Sequence, residues 1–253
     1  MRREYVSVSE AISMSGVRIA FTRGVPGPWG EAVRAIYDIK GIDYVPVEQQ
    51  GASANEGLRK WTGQNSAPCV MIDNERPRSR WYEMLMLAET LAPEPRLIPA
   101  DQAQRAQMFG ILHEICGEDG FGWSGRLIQF DILQRQSTLA LDGMLHKFGS
   151  SVSLQHAIDR MISIMRWLAE VLEAQQSAGS RYMVGDSLSA ADIYWTTFSN
   201  KVAPIDQAIC PMPGHYRQMC EIGAAAIGYD VPAILIDHRD YLLDTYFTLP
   251  LWF

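Results

Sequence analysis

The stretch Y-M-V-G-D-S-L-S-A-A-D-I-Y-W, residues 182–195, joins a glycine turn directly to an apolar helix. Ser189 and Asp192 stand three apart, the spacing of a capping box. In that arrangement the serine hydroxyl accepts from the amide three residues on, and the carboxylate reaches back to the serine's own amide while favouring the positive helix end. Ala190, Ala191, Ile193 and Trp195 then give the helix an apolar body that must be buried. Any buried helix can start this way, so the meaning of the signal depends on the segments that precede it.

Those segments change character along the chain. After a polar arm (1–16), V-R-I-A-F (Val17–Phe21) reads as a short strand and T-R-G-V-P-G-P (22–28) as a loop dense in glycine and proline. Residues 31–40 carry apolar groups at helical spacing, with Gly41 as a stop. Residues 42–47 and 69–72 read as second and third strands, with Asp73 and Asn74 as a turn. No fourth strand is clear from the pattern. This is an α/β order. A-P-E-P-R-L-I-P (92–99) carries three prolines, intolerable inside a helix, and marks a boundary. Beyond it, 104–116, 126–141, 154–176 and 189–199 all have helical spacing and no strand is called for.

The order of N-S-A-P-C-V-M-I-D (65–73), R-W-Y-E-M-L-M-L-A-E-T-L (80–91) and the Ser189 capping box resembles the glutathione transferase superfamily over roughly residues 17–198. The resemblance implies an α/β thioredoxin-like N-terminal domain plus an all-α C-terminal domain, with a fourth strand near 76–80 that its arginines and proline make irregular or exposed. On that division, 1–16 is an arm, 17–92 the glutathione-binding domain, 93–101 a linker and 102–253 the helical domain.

It also implies the chemistry. Pro68 falls where such folds place a cis proline; a cis bond there turns the amide and carbonyl of Ala67 outward to pair with an extended peptide, in this family the cysteinyl part of glutathione. The alternative is an ordinary trans proline at a strand entrance. Glu83 matches the acidic residue that holds the γ-glutamyl end, with Met84 where the family usually has a hydroxyl, leaving only a backbone amide. Glu83 read without the family is a first-turn helix carboxylate.

The group that activates the sulfur is the least defined. Gly27 stands at the usual serine or cysteine position, and no tyrosine lies nearby. Thr22 is then the hydroxyl and Arg23 the cation of that loop, with the amides around Trp29 and Gly30 adding positive potential. Equally, Thr22 caps a strand and Arg23 is solvated. Cys69 enters a strand and reads as a buried, inert thiol.

Composition narrows the function classes. Twenty-two basic against twenty-nine acidic side chains give a net charge of −7, which offers no broad cationic surface for nucleic acid or an anionic membrane. Four cysteines without C-x-x-C spacing argue against a zinc ribbon or a dithiol redox site. No metal is expected: His113, Glu114, Cys116, Glu118 and Asp119 match no ligand pattern and read as a polar helix end. The first fifteen residues lack the apolar run of a secretory signal, and a reduced, cytoplasmic setting is expected.

The expected function is conjugation of the glutathione thiolate to a small hydrophobic electrophile by a homodimer. The alternatives are a non-catalytic binding protein of the same fold and a glutathione-dependent lyase or isomerase. The aromatic run 241–253 must pack on something, either completing the helical core or folding Trp252 and Phe253 over the cleft as part of the acceptor pocket.

Overall fold

The computed structural model describes residues 3–51, 53–136 and 151–253. Three strands, β1 (Val17–Thr22), β2 (Val45–Gln49) and β3 (Cys69–Ile72), form one sheet in the order β2-β1-β3. β1 runs parallel to β2, with Ile19 opposite Pro46, and antiparallel to β3, with Ile19 opposite Val70. The expected fourth strand near 76–80 is a single bridge, Val70 with Arg78. The β2 segment begins three residues later than the alternation suggested.

The polar arm carries structure that the sequence reading passed over. Helix α1 (Val8–Ile12) is opened by Ser7, whose amide donates to the Glu10 carboxylate at 2.8 Å. Just before it, Val6 bridges to Val47 of β2. Alternate β1 side chains face opposite ways. One sheet face is covered by α1 and α3 (Glu56–Thr62), around Ala11, Ala20, Val47, Leu58, Cys69 and Met71. The other face, through Ile19, Phe21 and Val70, merges with α2 (Pro28–Ile39), α4 (Trp81–Leu91) and the helical half in one core.

That half comprises α5 (Gln102–Cys116), α6 (Phe121–Gln136), α7 (Leu154–Ser177), α8 (Ala190–Phe198) with a 3₁₀ turn (Ser199–Lys201), α9 (Gly214–Ile227) and α10 (Ala233–Tyr246). The sequence reading starts α6 at 126, five residues late; its continuation to 141 lies outside the described residues. No described helix is long and apolar enough to cross a membrane.

The two halves are locked at the proline-rich segment. The buried Lys40 ammonium donates to the Glu89 carboxylate at 2.6 Å and to the Pro95 carbonyl at 2.7 Å, and the same carboxylate oxygen accepts the Leu97 amide at 3.0 Å. The Leu97 carbonyl in turn accepts the Ala190 amide at 2.9 Å, tying the segment to the start of α8. Every residue of α8 is buried. Its capping box is present as expected, and both the Ser189 amide and the Ser189 hydroxyl donate to the Asp192 carboxylate, at 2.8 and 2.7 Å.

The C-terminal run folds back over the seam between α2 and the helical half. Trp252 stands over the Arg34 guanidinium at 4.1 Å, with Phe21 at 4.1 Å from the same group. Arg34 also reaches Glu31 at 3.3 Å and the Tyr5 hydroxyl at 2.9 Å. Trp252 borders a small cavity of about 90 Å³ with Arg34, Asp38 and Leu251. Phe253 joins Ile205, Cys210, Met212 and Leu243. A guanidinium buried on α2 is stabilised by the two aromatic faces it lies between. Trp252→Ala is expected to lower stability by about 1–2 kcal/mol, from the lost cation–π contact and buried ring area, measured by urea unfolding.

Candidate functional site

The β1–α2 connection builds the site. Gly27 is the N-cap of α2 in extended backbone, with Pro28 at the first helical position, where its missing N–H costs nothing. The Glu31 amide makes the first bond back, to the Gly27 carbonyl at 2.9 Å. The Trp29 and Gly30 amides precede it and have no carbonyl within the helix to receive them. They present the positive end of a twelve-residue helix to a cavity of about 260 Å³.

Thr22, Phe21 and Ala67 border this cavity from the α/β side. The helical half closes it with Arg126, Gln129 and Phe130 of α6, Lys201 of the 3₁₀ turn and Tyr216 of α9. Trp29 holds the two walls together. Its ring nitrogen donates to the Cys116 carbonyl at 3.2 Å, its ring meets Phe198 edge-on at 4.7 Å, and the Arg126 guanidinium lies 4.4 Å over it. The Tyr216 hydroxyl reaches the Pro26 carbonyl at 3.4 Å from the far side.

The residues singled out from sequence separate in space. Thr22, Trp29 and Ala67 border the cavity, whereas Arg23, Pro68, Glu83 and Met84 do not. The Thr22 hydroxyl donates to the Gln49 side-chain oxygen at 2.6 Å, so its proton already has an acceptor. Arg23 is 61% exposed and pairs with Glu48 at 3.3 Å. The Ala67–Pro68 bond is cis.

Glu83 opens α4 close enough to Cys69 for its charge to be felt by that thiol. Its carboxylate accepts from Arg76 at 3.0 Å and from the Arg80 amide at 3.4 Å. Burial pushes its pKa up, but these hydrogen bonds and the Arg76 charge outweigh it, so the group is held below its ordinary value. The Met84 amide, expected to be available to a ligand, donates to the Arg80 carbonyl at 3.1 Å as the first bond of α4. The amides ahead of it, at Trp81 and Tyr82, are the ones a helix start leaves open. Burial raises the Cys69 thiol to about 12, keeping it protonated.

Five residues of the cavity's helical wall escaped the sequence reading: Arg126, Gln129, Phe130, Lys201 and Tyr216. Lys201 is 7% exposed and donates to the Gln129 side-chain oxygen at 3.0 Å. Burial, and then the nearby Arg126 charge, bring its pKa down to about 8. Burial takes Arg126 to about 10. A visible clue was the glycine pair of α6. A Cβ at Gly122 would stand 2.3 Å from the Phe198 ring and 2.8 Å from Trp29, and one at Gly125 would stand 3.0 Å from the Lys201 stem. These glycines let α6 approach the residues that shape the cavity.

The His113–Asp119 group has a structural use. Glu114 pairs with Arg160 of α7, and Asp119 lies 2.9 Å from the His156 ring, so these carboxylates join α7 to the end of α5.

No family model matches the sequence, and no curated protein matches it either. Solved structures match the fold. A glutathione S-transferase from Xanthobacter autotrophicus is 14% identical, with 92% of this chain and 96% of that chain covered at a TM-score of 0.58. A glutathione transferase homolog from Lodderomyces elongisporus, solved with two GSH per subunit, is 13% identical over 90% of this chain and 99% of that chain, at 0.58. A glutathione S-transferase from Methylobacterium radiotolerans, in complex with glutathione sulfonate, is 16% identical over 89% and 95%, at 0.54. The chain therefore has the fold of the glutathione transferases, a thioredoxin-like α/β layer followed by an all-helical domain.

Proposed function

We propose that this chain is a glutathione-dependent transferase, acting as a cytoplasmic homodimer on a small, largely apolar electrophile. Glutathione lies extended along the α/β wall. Its cysteinyl backbone pairs with Ala67, its γ-glutamyl end is held at the start of α4 beside Glu83, and its sulfur sits at the start of α2. The observation that carries this reading is the convergence of the open α2 amides, Thr22 and Ala67 on one interdomain cavity, in the fold of proteins solved with glutathione or its sulfonate.

The Thr22 proton is committed to Gln49, so the Trp29 and Gly30 amides carry the main stabilisation of the thiolate. In the reaction the thiol proton passes to solvent and the thiolate forms a carbon–sulfur bond. The leaving group departs with the electron pair of the bond that breaks, or an unsaturated acceptor takes up a proton.

A specific observation also favours the binding-protein reading: the Thr22 hydroxyl and the Glu83 carboxylate both already have protein partners. Turnover decides between the two. With glutathione and 1-chloro-2,4-dinitrobenzene, the transferase reading predicts thioether formation above the uncatalysed rate at pH 7. Glutathione binding with no rate enhancement for this or other aryl and alkyl halides would assign a binding protein instead.

A further inference from the structure

The cavity has two chemically different walls. On the α/β side are the α2 helix start, Thr22 and Ala67; on the helical side Lys201 and Arg126 both face the same space. Lys201 is buried, and a buried ammonium bordering a cavity loses hydration, a costly arrangement in a folding unit with no use for it. The one carboxylate bordering the cavity among the described residues, Glu31, gives little relief. It is committed to Arg34 at 3.3 Å, and burial raises its pKa to about 7.

The cations are also held in place. Arg126 is stacked over Trp29 and Trp123, at 4.4 and 4.9 Å. The Lys201 stem runs across Gly125, where a Cβ would stand 3.0 Å from Cδ, and its ammonium is oriented by Gln129 at 3.0 Å. An ammonium has three protons to donate, and Gln129 takes one. On a chain whose net charge is −7, this is a local positive field confined to one wall.

We propose that Lys201 receives a carboxylate carried by the electrophilic substrate, so that the acceptors of this enzyme are apolar compounds bearing an acid group. The inference rests on the glutathione reading above and adds the substrate class to it. The apolar part of the acceptor lies against Phe130 and Phe21, which border the same cavity. Its acid group points to the 3₁₀ turn, and its electrophilic carbon faces the sulfur at the α2 start. A charge-assisted hydrogen bond from a desolvated ammonium is worth a tenfold or larger preference for an acid over its neutral isostere, about 1.4 kcal/mol per factor of ten.

The test compares S-(4-carboxybenzyl)glutathione with S-benzylglutathione by calorimetry, on the wild type and on Lys201→Met, with glutathione alone and 4-ethylbenzoate alone as further ligands. The wild type is expected to bind the carboxylated conjugate at least about tenfold more tightly than the neutral one, and Lys201→Met to lower that ratio about tenfold. A wild-type ratio near one overturns the proposal without need of any variant. So does an unaltered ratio in a folded Lys201→Met protein. A loss of affinity for glutathione alone by the same factor overturns it as well, because Lys201 would then hold glutathione's own glycyl carboxylate. If neither glutathione nor either conjugate binds, the glutathione reading fails. The anion site is then judged on 4-ethylbenzoate, expected to bind the wild type about tenfold more tightly than Lys201→Met, and overturned if it does not.

Discussion

Replacing Asp192 by alanine is expected to cost about 3–5 kcal/mol of stability, a large fraction of the roughly 5–15 kcal/mol that holds a domain folded. Asp192 is 0% exposed, and its two oxygens accept from four groups. One oxygen takes the Met183 amide at 2.8 Å and the His238 ring at 3.0 Å; the other takes the Ser189 amide and hydroxyl. Alanine leaves all of these donors buried without an acceptor, and each orphaned polar group costs about 1–3 kcal/mol. Asp192→Asn keeps the shape but offers one accepting oxygen in place of two, so an intermediate loss is expected. Urea unfolding of the three proteins checks the order. A variant within about 0.5 kcal/mol of wild type would show that the network contributes only shape.

The second large effect is at Gly122. A Cβ there would lie 2.3 Å from a ring carbon of Phe198, itself fully buried, and 2.8 Å from Trp29. Neither ring is a flexible chain end that can swing aside, so Gly122→Ala is expected to cost about 2–3 kcal/mol, the upper part of the range for overpacking. Its consequence reaches the site, because Trp29 belongs to the first turn of α2 and borders the cavity. Movement of that ring displaces the first turn of α2, so on the proposed function glutathione affinity is expected to fall together with stability. Gly110→Ala is the control. Nothing lies within 4 Å of its added Cβ in the interior of α5, and it is expected to be neutral or to stabilise by up to about 1 kcal/mol.

How far the sequence exposes this architecture depends on what kind of signal each part leaves. The β1 and β3 strands, the proline-rich junction and the capping-box helix are local patterns, and they lie where local physics puts them. The arm's helix α1 was missed because Ser7 and Glu10, three apart, mark only five helical residues. Helix α3 was missed because its N-cap Asn55 and C-cap Gly63 bracket only seven. The fourth strand reduces to one bridge because Arg76 and Arg78 are drawn into ion pairs with Glu83 and Glu75.

At the site, Thr22, Trp29 and Ala67 are near one another because a single βα turn and one neighbouring loop supply them. Lys201, 172 positions after Trp29 in the sequence, has no such local signal. A lysine after an apolar helix reads as an ordinary solvated end until α6 is seen to pass over it. The seat of Trp252 is undefined in the sequence for a related reason: an aromatic tail shows that something must be covered, and only the packing shows that the Arg34 guanidinium is part of what it covers.

On the proposed function the start of α2 is the seat of an ionised sulfur, and the most direct measurement of that role is the ultraviolet thiolate absorbance of glutathione titrated against the protein at pH 7. The expected result is a saturable thiolate signal from bound glutathione, well above that of free glutathione at the same pH, whose ordinary thiol titrates near 8.5. Saturable binding by calorimetry with no thiolate signal at neutral pH would contradict that role for the α2 amides, and no binding at all would contradict the glutathione assignment itself.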